Sequence, residues 1–137
     1  MRKTAFALGL TAALGLAALP ALSAPRVVNK TIATTEGRPA RLGEAQGWND
    51  DCTPKRTTVT ILGRPANGHV TVIDVSSRIP SKAGVGTVPP GCVGKPVPGK
   101  QVVYTPRLGF RGTDAFEYVI AFNGVPAVTC RISVTVR

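Results

Sequence analysis

Residues Tyr104–Phe122 read YTPRLGFRGTDAFEYVIAF, and this stretch decides the fold. Its first half predicts a strand that ends at Pro106, because proline cannot donate to a sheet ladder. A compact corner then follows around Gly109 and Gly112, which suit positive φ angles. In its second half the large side chains occupy alternate positions: Phe116, Tyr118, Ile120 and Phe122. This alternation is typical of a half-buried strand, so we expect the core of a β-domain to gather here.

The same two-residue periodicity predicts further strands along the chain. They lie at residues 26–35, 40–42, 57–62, 69–75, 102–104 and 127–137. Residues 63–68 predict a tight turn, with 69–75 as its return strand. No convincing helix follows residue 23. With about seven strands, the sequence predicts an all-β fold, an antiparallel two-sheet sandwich.

Two motifs resemble those of a known family. Residues 65–70 read PANGHV, and residues 104–118 read YTPRLGFRGTDAFEY. They are similar to the P-x-x-G-T-V and Y-T-P-x-x-G-F-x-G-T-D-S-F-x-Y patterns of bacterial immunoglobulin-like (cadherin-like) repeat modules of secreted and surface proteins. The resemblance extends over roughly residues 33–136 and implies an immunoglobulin-like sandwich, here in a single copy. It implies little about function, since one sandwich hosts many roles.

Residues 1–23 are interpreted as a signal peptide. Arg2 and Lys3 are basic, residues 5–19 are apolar, and Ala21-Leu22-Ser23 supplies the small residues that signal peptidase reads. The apolar run is shorter than the roughly 20 residues that a membrane helix needs, although an uncleaved anchor is the alternative. Residues 24–137 are therefore expected to form one periplasmic or secreted domain, a monomer with no membrane span after cleavage.

Residues 76–100 differ in composition from the rest. They hold five of the twelve prolines, five glycines and four basic residues, with almost no periodicity. They predict a long Pro/Gly-rich loop, and loops of this length are commonly functional or disordered. This loop and the corner contain the basic residues that we take as candidates for binding: Arg78, Lys82, Lys95, Lys100, Arg107 and Arg111.

The net charge of +10 gives these basic residues two interpretations. A basic patch attracts polyanions, which in a cell envelope include phosphate-bearing and acidic polymers. The alternative is a solvated surface that favours solubility. Stacking aromatic residues are sparse among the charges, which argues against a dedicated nucleic-acid binder.

The chain has three cysteines, and export to an oxidising compartment makes a disulfide expected. Cys130 lies in the apolar register of the last strand and should point into the core. Cys52 and Cys92 both lie in loops, which favours the pair Cys52–Cys92. A bond to Cys130 or an intermolecular bridge is the alternative. The cysteines and the single histidine lack the paired spacing of a metal site, so we expect no metal and no cofactor.

Three further features allow two interpretations each. Trp48 either caps the end of the domain or offers a stacking surface to a partner. The acidic loop Asn49–Asp51 either forms a turn or binds calcium, as clustered carboxylates can. Asp114 is expected to hydrogen-bond the backbone of its own corner. His69 and Asp74 lie five residues apart and face opposite sides of a strand, so no catalytic constellation emerges.

Two functional hypotheses remain. The first is a non-enzymatic secreted or periplasmic binding module that engages a protein or an anionic envelope polymer through residues 76–100. The second is a secreted inhibitor that presents the Pro-rich residues 88–98 to a protease or another target, since a rigid loop loses little entropy on binding.

Overall fold

The computed structural model describes residues 23–137. The predicted signal peptide therefore lies outside the described residues, except for Ser23. Regular structure in this range consists of strands and one short 3-10 turn, which confirms the all-β class. Between residues 23 and 137, no helix is long enough and apolar enough to cross a membrane.

Between residues 23 and 137 the chain forms nine strands. In chain order they are β1 (Arg26–Thr34), β2 (Ala40–Ala45), β3 (Gly47–Trp48), β4 (Pro54–Lys55), β5 (Thr57–Gly63), β6 (Gly68–Arg78), β7 (Pro96–Pro106), β8 (Gly112–Phe122) and β9 (Val125–Val136). The 3-10 turn, Pro90–Cys92, lies between β6 and β7.

The strands form two larger sheets and one small pair. The four-stranded sheet has the order β1-β9-β8-β5, the three-stranded sheet has the order β2-β7-β6, and β3 pairs with β4. All neighbours run antiparallel except β1, which runs parallel to β9. The prediction of a wholly antiparallel arrangement is therefore wrong for β1. Parallel pairing sets Val28 beside Cys130 and Ile32 beside Val134, so the apolar parity of β1 extends the core face of β9.

The core lies where the sequence places it. Tyr104 on β7 is fully buried, and its ring stacks on Phe116 of β8 with centroids 5.7 Å apart. Phe116 stacks in turn on Tyr118 at 6.2 Å. On β9, all five residues of the apolar parity are buried: Val128, Cys130, Ile132, Val134 and Val136. Aromatic pairs of this kind contribute beyond the area they bury, and the Tyr104–Phe116 pair joins one sheet to the other.

The predicted hairpin at residues 63–68 is not formed. Strand β5 pairs with β8, and Val59 lies opposite Ile120. Strand β6 pairs with β7 along its whole length, so residues 63–68 cross from one sheet to the other. The alternation within each strand predicts which face is buried, but it does not determine the neighbouring strand.

Asp114 holds this crossing in place. Its carboxylate accepts hydrogen bonds from the backbone N–H groups of Ala66 at 2.9 Å and Asn67 at 3.0 Å. It also accepts from the Tyr104 hydroxyl and from the N–H of Ala115, each at 2.9 Å. The prediction that Asp114 bonds the backbone of its own corner is therefore wrong for most of its partners. The carboxylate is buried, and the crossing supplies the donors that it needs.

The loop between β6 and β7 is shorter than predicted. Strand β6 continues to Arg78 and β7 begins at Pro96, so Ser76 pairs with Pro98 and Ser77 with Val97. The loop comprises residues 79–95, and Lys100 lies inside a strand. The prolines conceal the strand signal. Pro96 and Pro98 share one parity, and β2 pairs with β7 only from Lys100 onward, so their missing N–H groups leave no ladder bond unmade.

Candidate functional site

The loops of the molecule lie at two opposite ends of the sheets, and strand β7 runs from one end to the other. At the disulfide end lie residues 46–56, residues 79–95 and the turn 123–124. At the corner end lie the turns 35–39 and 63–68 and the corner, residues 107–111. The eleven residues of β7 lead from one end to the other, and at about 3.4 Å per residue they place the ends on the order of 35 Å apart.

The disulfide Cys52–Cys92 ties the loop 79–95 to the preceding loop 46–56. Its Cα atoms lie 5.2 Å apart, which confirms the predicted pairing. Cys130 is unpaired and buried, as its register predicts. The loop is also held by its own backbone, since the Ile79 N–H donates to Lys95 O at 2.9 Å and the Gly94 N–H donates to Ile79 O at 2.8 Å.

A small apolar cluster lies beneath this loop. Ile79, Cys92 and Val97 are buried, at 1%, 1% and 3% exposure. Trp48, Cys52 and Val88 pack against them. The loop therefore has a packed interior of its own, in addition to the disulfide, and its position over the end of the two sheets is fixed.

Trp48 both caps the disulfide end and lines an open cleft. Its Nε1 donates to the carbonyl of Thr87 at 3.2 Å, which joins the two loops. Trp48 packs on the apolar cluster under the loop. It also lines a pocket of about 210 Å³ together with Phe122 and Val85. The two predicted roles of Trp48 are thus compatible with one geometry.

We call this pocket the Trp48 cleft. Its walls are Trp48, Val85 and Phe122, and Asp50 and Lys55 add one charge of each sign. A second hollow of about 160 Å³ continues from it along the same three walls. Apolar walls with a few polar groups are typical of ligand-binding clefts.

Glycine at position 47 lets Phe122 form a wall of the cleft. A Cβ atom at Gly47 would lie 2.6 Å from Cδ1 of Phe122 and 3.2 Å from Cβ of Lys55. The phenyl ring therefore occupies the space that any other side chain would fill. Phe122, Val85 and Lys55 were not among the residues predicted to bind. No local pattern connects them, because they come from three separate segments.

The six basic residues do not form one surface. Arg78, Lys82 and Lys95 are exposed at the disulfide end, where Arg78 Nη1 donates to Gly94 O at 2.9 Å. Lys100 is partly buried in β7, and its ammonium group forms an ion pair with Asp74. Asp50 and Asp51 lie at the same end and reduce its net positive charge.

Arg107 and Arg111 lie at the corner end, on the order of 35 Å from Arg78, Lys82 and Lys95. Arg107 Nη2 donates to the side-chain oxygen of Asn67 at 3.1 Å. Arg111 Nε pairs with Glu36 at 3.0 Å. A single basic patch over residues 76–111 is therefore not present, because β7 lies between its two halves.

The acidic loop 49–51 closes on itself. The Asp51 carboxylate accepts hydrogen bonds from the hydroxyl and the backbone N–H of Thr53, and these bonds lower the pKa of Asp51. Asn49 Nδ2 donates to the same hydroxyl at 2.9 Å. Between residues 23 and 137, no three His, Cys, Asp or Glu side chains are grouped so as to hold a metal ion.

The polar residues of β6 are each engaged elsewhere or exposed. Asp74 pairs with Lys100, and the Ser77 hydroxyl lies 2.7 Å from Oε1 of Gln46, to which it donates. His69 is exposed near the other end of the strand. The structure therefore does not bring His69, Asp74 and Ser77 together.

Comparisons with known proteins identify no family. No protein-family model matches this chain, and no curated protein matches it. Among solved structures, the solution structure of Amebosin is similar, with a TM-score of 0.47 and 15% sequence identity. The alignment covers 84% of this chain and 100% of that one. A similarity this low indicates neither the fold nor the function of this chain.

Proposed function

We propose that the protein is a non-enzymatic binding module with an immunoglobulin-like two-sheet sandwich. The seven long strands, numbered in chain order, divide into one sheet of order 1-7-6-3 and one of order 2-5-4. Immunoglobulin constant-type domains divide their strands in the same way, except that the first strand joins the other sheet. This strand order and the motifs at residues 65–70 and 104–118 support the assignment.

A periplasmic or secreted location fits this role. Disulfides persist in oxidising compartments and are rare in the cytosol, so the bond Cys52–Cys92 supports export. The proposed signal peptide, residues 1–23, would supply the route.

The disulfide end is the proposed binding surface. The observation that carries this proposal is the loop 79–95, held over Trp48 by a disulfide, an indole hydrogen bond and a small apolar cluster. A loop fixed in advance loses little conformational entropy when a partner binds. Aromatic anchors in pockets with a polar rim are typical of protein interfaces.

A protein partner suits this surface better than a polyanion does. Val85 and Val93 are 45% and 48% exposed on the loop, and Val85 lines the Trp48 cleft. Lys82 and Lys95 are exposed on the same loop, and the charges that line the cleft itself, Asp50 and Lys55, are of opposite sign. The binding of such a surface should depend on its apolar residues and only moderately on salt.

The test is co-sedimentation of the purified mature protein with lipid-extracted envelope fractions across a salt series, for wild type and variants. Val85→Ser with Val93→Ser should abolish most binding without loss of folding, because both side chains are substantially exposed. Lys82→Glu with Lys95→Glu should weaken binding modestly and change its salt dependence. Retained binding by the valine variant would remove the loop from the proposal.

Arg38→Glu with Arg107→Glu is the matched control, since it makes the same charge change at the corner end. It should leave binding to a protein partner intact. Equal loss from both double charge reversals would show that net charge, and not the loop, governs the interaction.

The alternative of a secreted inhibitor has less geometric support. Residues 88–98 do not form one presented loop, because Pro90–Cys92 is a 3-10 turn, Cys92 is bonded to Cys52, and residues 96–98 belong to β7. Residues 93–95 are the stretch left between the 3-10 turn and β7, and all three are exposed. The failure of the mature protein to inhibit a panel of proteases at high concentration would exclude this role.

A further inference from the structure

Leu108 is the most exposed of the large hydrophobic side chains between residues 23 and 137. It is 84% exposed, compared with 64% for Val125 and 56% for Leu62. Single exposed apolar residues are common on protein surfaces and by themselves indicate nothing. Leu108 differs from such residues because basic side chains lie beside it and its backbone is held in place.

Arginines surround Leu108. Arg107 and Arg111 flank it within the corner, and both are exposed. Arg38 lies on the adjoining turn 35–39 and is also exposed. A Cβ atom at Gly37 would lie 3.3 Å from Cδ2 of Leu108, which places the turn of Arg38 directly against the leucine. The Arg107 N–H donates to Asn67 O at 2.8 Å, which joins the turn 63–68 to the corner.

The acidic side chains near this end are already bound to other groups of the protein. Glu36 accepts from Arg111 Nε at 3.0 Å and from the backbone N–H of Gly109 at 3.0 Å. Asp114 is buried and directs its oxygens to the inside of the molecule. Glu117 lies further along β8 and pairs with Arg131. The surface around Leu108 therefore keeps a net positive charge.

The corner keeps Leu108 at the surface. Phe110 packs against the core two residues later, and its N–H donates to Arg107 O at 3.1 Å, which closes the turn. Pro106 is buried on the other side of the corner, and Gly109 adopts φ +80°. The backbone is thus anchored at both ends of the corner and by Glu36, with Leu108 exposed between these anchors.

We propose that the corner end docks on an anionic phospholipid surface, with Leu108 inserted below the headgroups and the arginines bound to their phosphates. A guanidinium group matches phosphate geometry with two parallel hydrogen bonds. Apolar side chains beside basic ones are the combination that holds proteins at a membrane interface. A hydrated polyanion would gain nothing from an exposed leucine, so the leucine distinguishes lipid from soluble polymer.

This docking is peripheral, and it is independent of the proposed function. It uses the corner end, whereas partner binding uses the disulfide end on the order of 35 Å away along β7. A protein docked by its corner would present the loop 79–95 away from the lipid surface. Either interaction can therefore fail in an experiment without the other.

The test is flotation of the mature protein with vesicles of phosphatidylglycerol and phosphatidylcholine, compared with vesicles of phosphatidylcholine alone. We expect binding only to the anionic vesicles, and weaker binding as salt is raised. Leu108→Ser should weaken binding about tenfold, and Arg38→Glu with Arg107→Glu should weaken it about 100-fold. Thermal unfolding of each variant checks that its fold is intact.

Matched controls lie at the disulfide end. Val125→Ser removes an apolar side chain that is 64% exposed, and Lys82→Glu with Lys95→Glu makes the same charge change as the arginine variant. Both should bind anionic vesicles within about twofold of wild type, a difference of about 0.4 kcal/mol. Equal losses from both charge variants would overturn the proposal.

Two further measurements separate lipid from soluble polyanion. In Leu108→Trp, the new indole should shift to shorter emission wavelengths when anionic vesicles are added, whereas Val125→Trp should not shift. Heparin, a soluble sulfated polymer, should bind wild type and Leu108→Ser equally. Unshifted emission of Leu108→Trp, or vesicle binding that is unaffected by Leu108→Ser, would show attraction to polyanions in general and overturn the assignment to lipid.

Discussion

The hydroxyl of Tyr104 donates a 2.9 Å hydrogen bond to Oδ2 of Asp114, and both side chains are buried. Tyr104 belongs to the three-stranded sheet and Asp114 to the four-stranded sheet, so the bond joins the two layers. The same carboxylate binds the N–H groups of Ala66 and Asn67 in another connection between the sheets, residues 63–68. One side chain thus fixes two of the three connections that cross between the sheets at the corner end.

Removing the hydroxyl should destabilise the fold. Tyr104→Phe leaves a buried carboxylate without one of its donors, and hydrogen bonds to charged groups contribute about 1.5–3 kcal/mol. We expect the free energy of unfolding in urea to fall by that amount. Asp114→Asn should lower the free energy of unfolding further, because both oxygens of Asp114 accept hydrogen bonds and the amide nitrogen of asparagine cannot accept any. Asp50→Asn, in an exposed loop, should change stability by less than about 0.5 kcal/mol, and a similar loss there would contradict the role of the buried bond.

Alkaline pH should destabilise the protein through its two tyrosines. Burial raises the pKa of Tyr104, and the hydrogen bond to Asp114 and the charge of that carboxylate raise it further. Burial also raises the pKa of Tyr118, with Cys130 beside it. In the unfolded chain tyrosine ionises near pH 10, so above about pH 10 the unfolded state releases protons that the folded state keeps. The free energy of unfolding should then fall by up to about 1.4 kcal/mol per pH unit for each tyrosine.

Urea unfolding from about pH 9 to about pH 11 measures this slope, and tyrosinate absorbance follows the ionisation itself. The comparison of wild type with Tyr104→Phe isolates one residue, because contributions from Tyr118 and Cys130 are common to both. The variant should lose stability less steeply with pH. Identical slopes would show that Tyr104 ionises as easily in the folded protein as in the unfolded one.

Strand faces could be predicted from the sequence, whereas strand partners and the cleft could not. The alternation in β9 gave the buried residues correctly, because a half-buried strand must place apolar side chains on one parity. The parallel pairing of β1 has no local signal, since periodicity indicates a face and not a direction. Pro96 and Pro98 concealed the start of β7. The walls of the Trp48 cleft come from residues 48, 85 and 122, which no sequence window contains together.

Loss of the disulfide should destabilise the protein and open the disulfide end. The bond closes 40 residues, and the chain-entropy model gives about 4 kcal/mol for a loop of this length. The variant Cys52→Ala with Cys92→Ala should therefore unfold at lower urea concentration and show altered Trp48 emission, since Trp48 contacts the loop.

Thiol titration provides the control: wild type should show one reactive thiol, Cys130, and only after unfolding. A reactive thiol in the folded protein would contradict its burial.

The Trp48 cleft depends on the absence of a side chain at position 47. In Gly47→Ala the added methyl would lie 2.6 Å from Phe122, so the ring must move. Overpacking of this kind costs about 1–3 kcal/mol, and the moved ring should also change the emission of Trp48. Gly43→Ala on β2 is the matched control, because nothing lies within 4 Å of its Cβ position.

Glycine within a strand is less stable than alanine by about 0.5–1 kcal/mol, so Gly43→Ala should be neutral or slightly stabilising. Urea unfolding with Trp48 emission as the signal reports both expected effects in one experiment. If Gly47→Ala matched Gly43→Ala in stability and emission, Phe122 would not pack on residue 47. The wall of the cleft would then have to be assigned to another side chain, and the proposed partner surface would reduce to the loop 79–95 and Trp48.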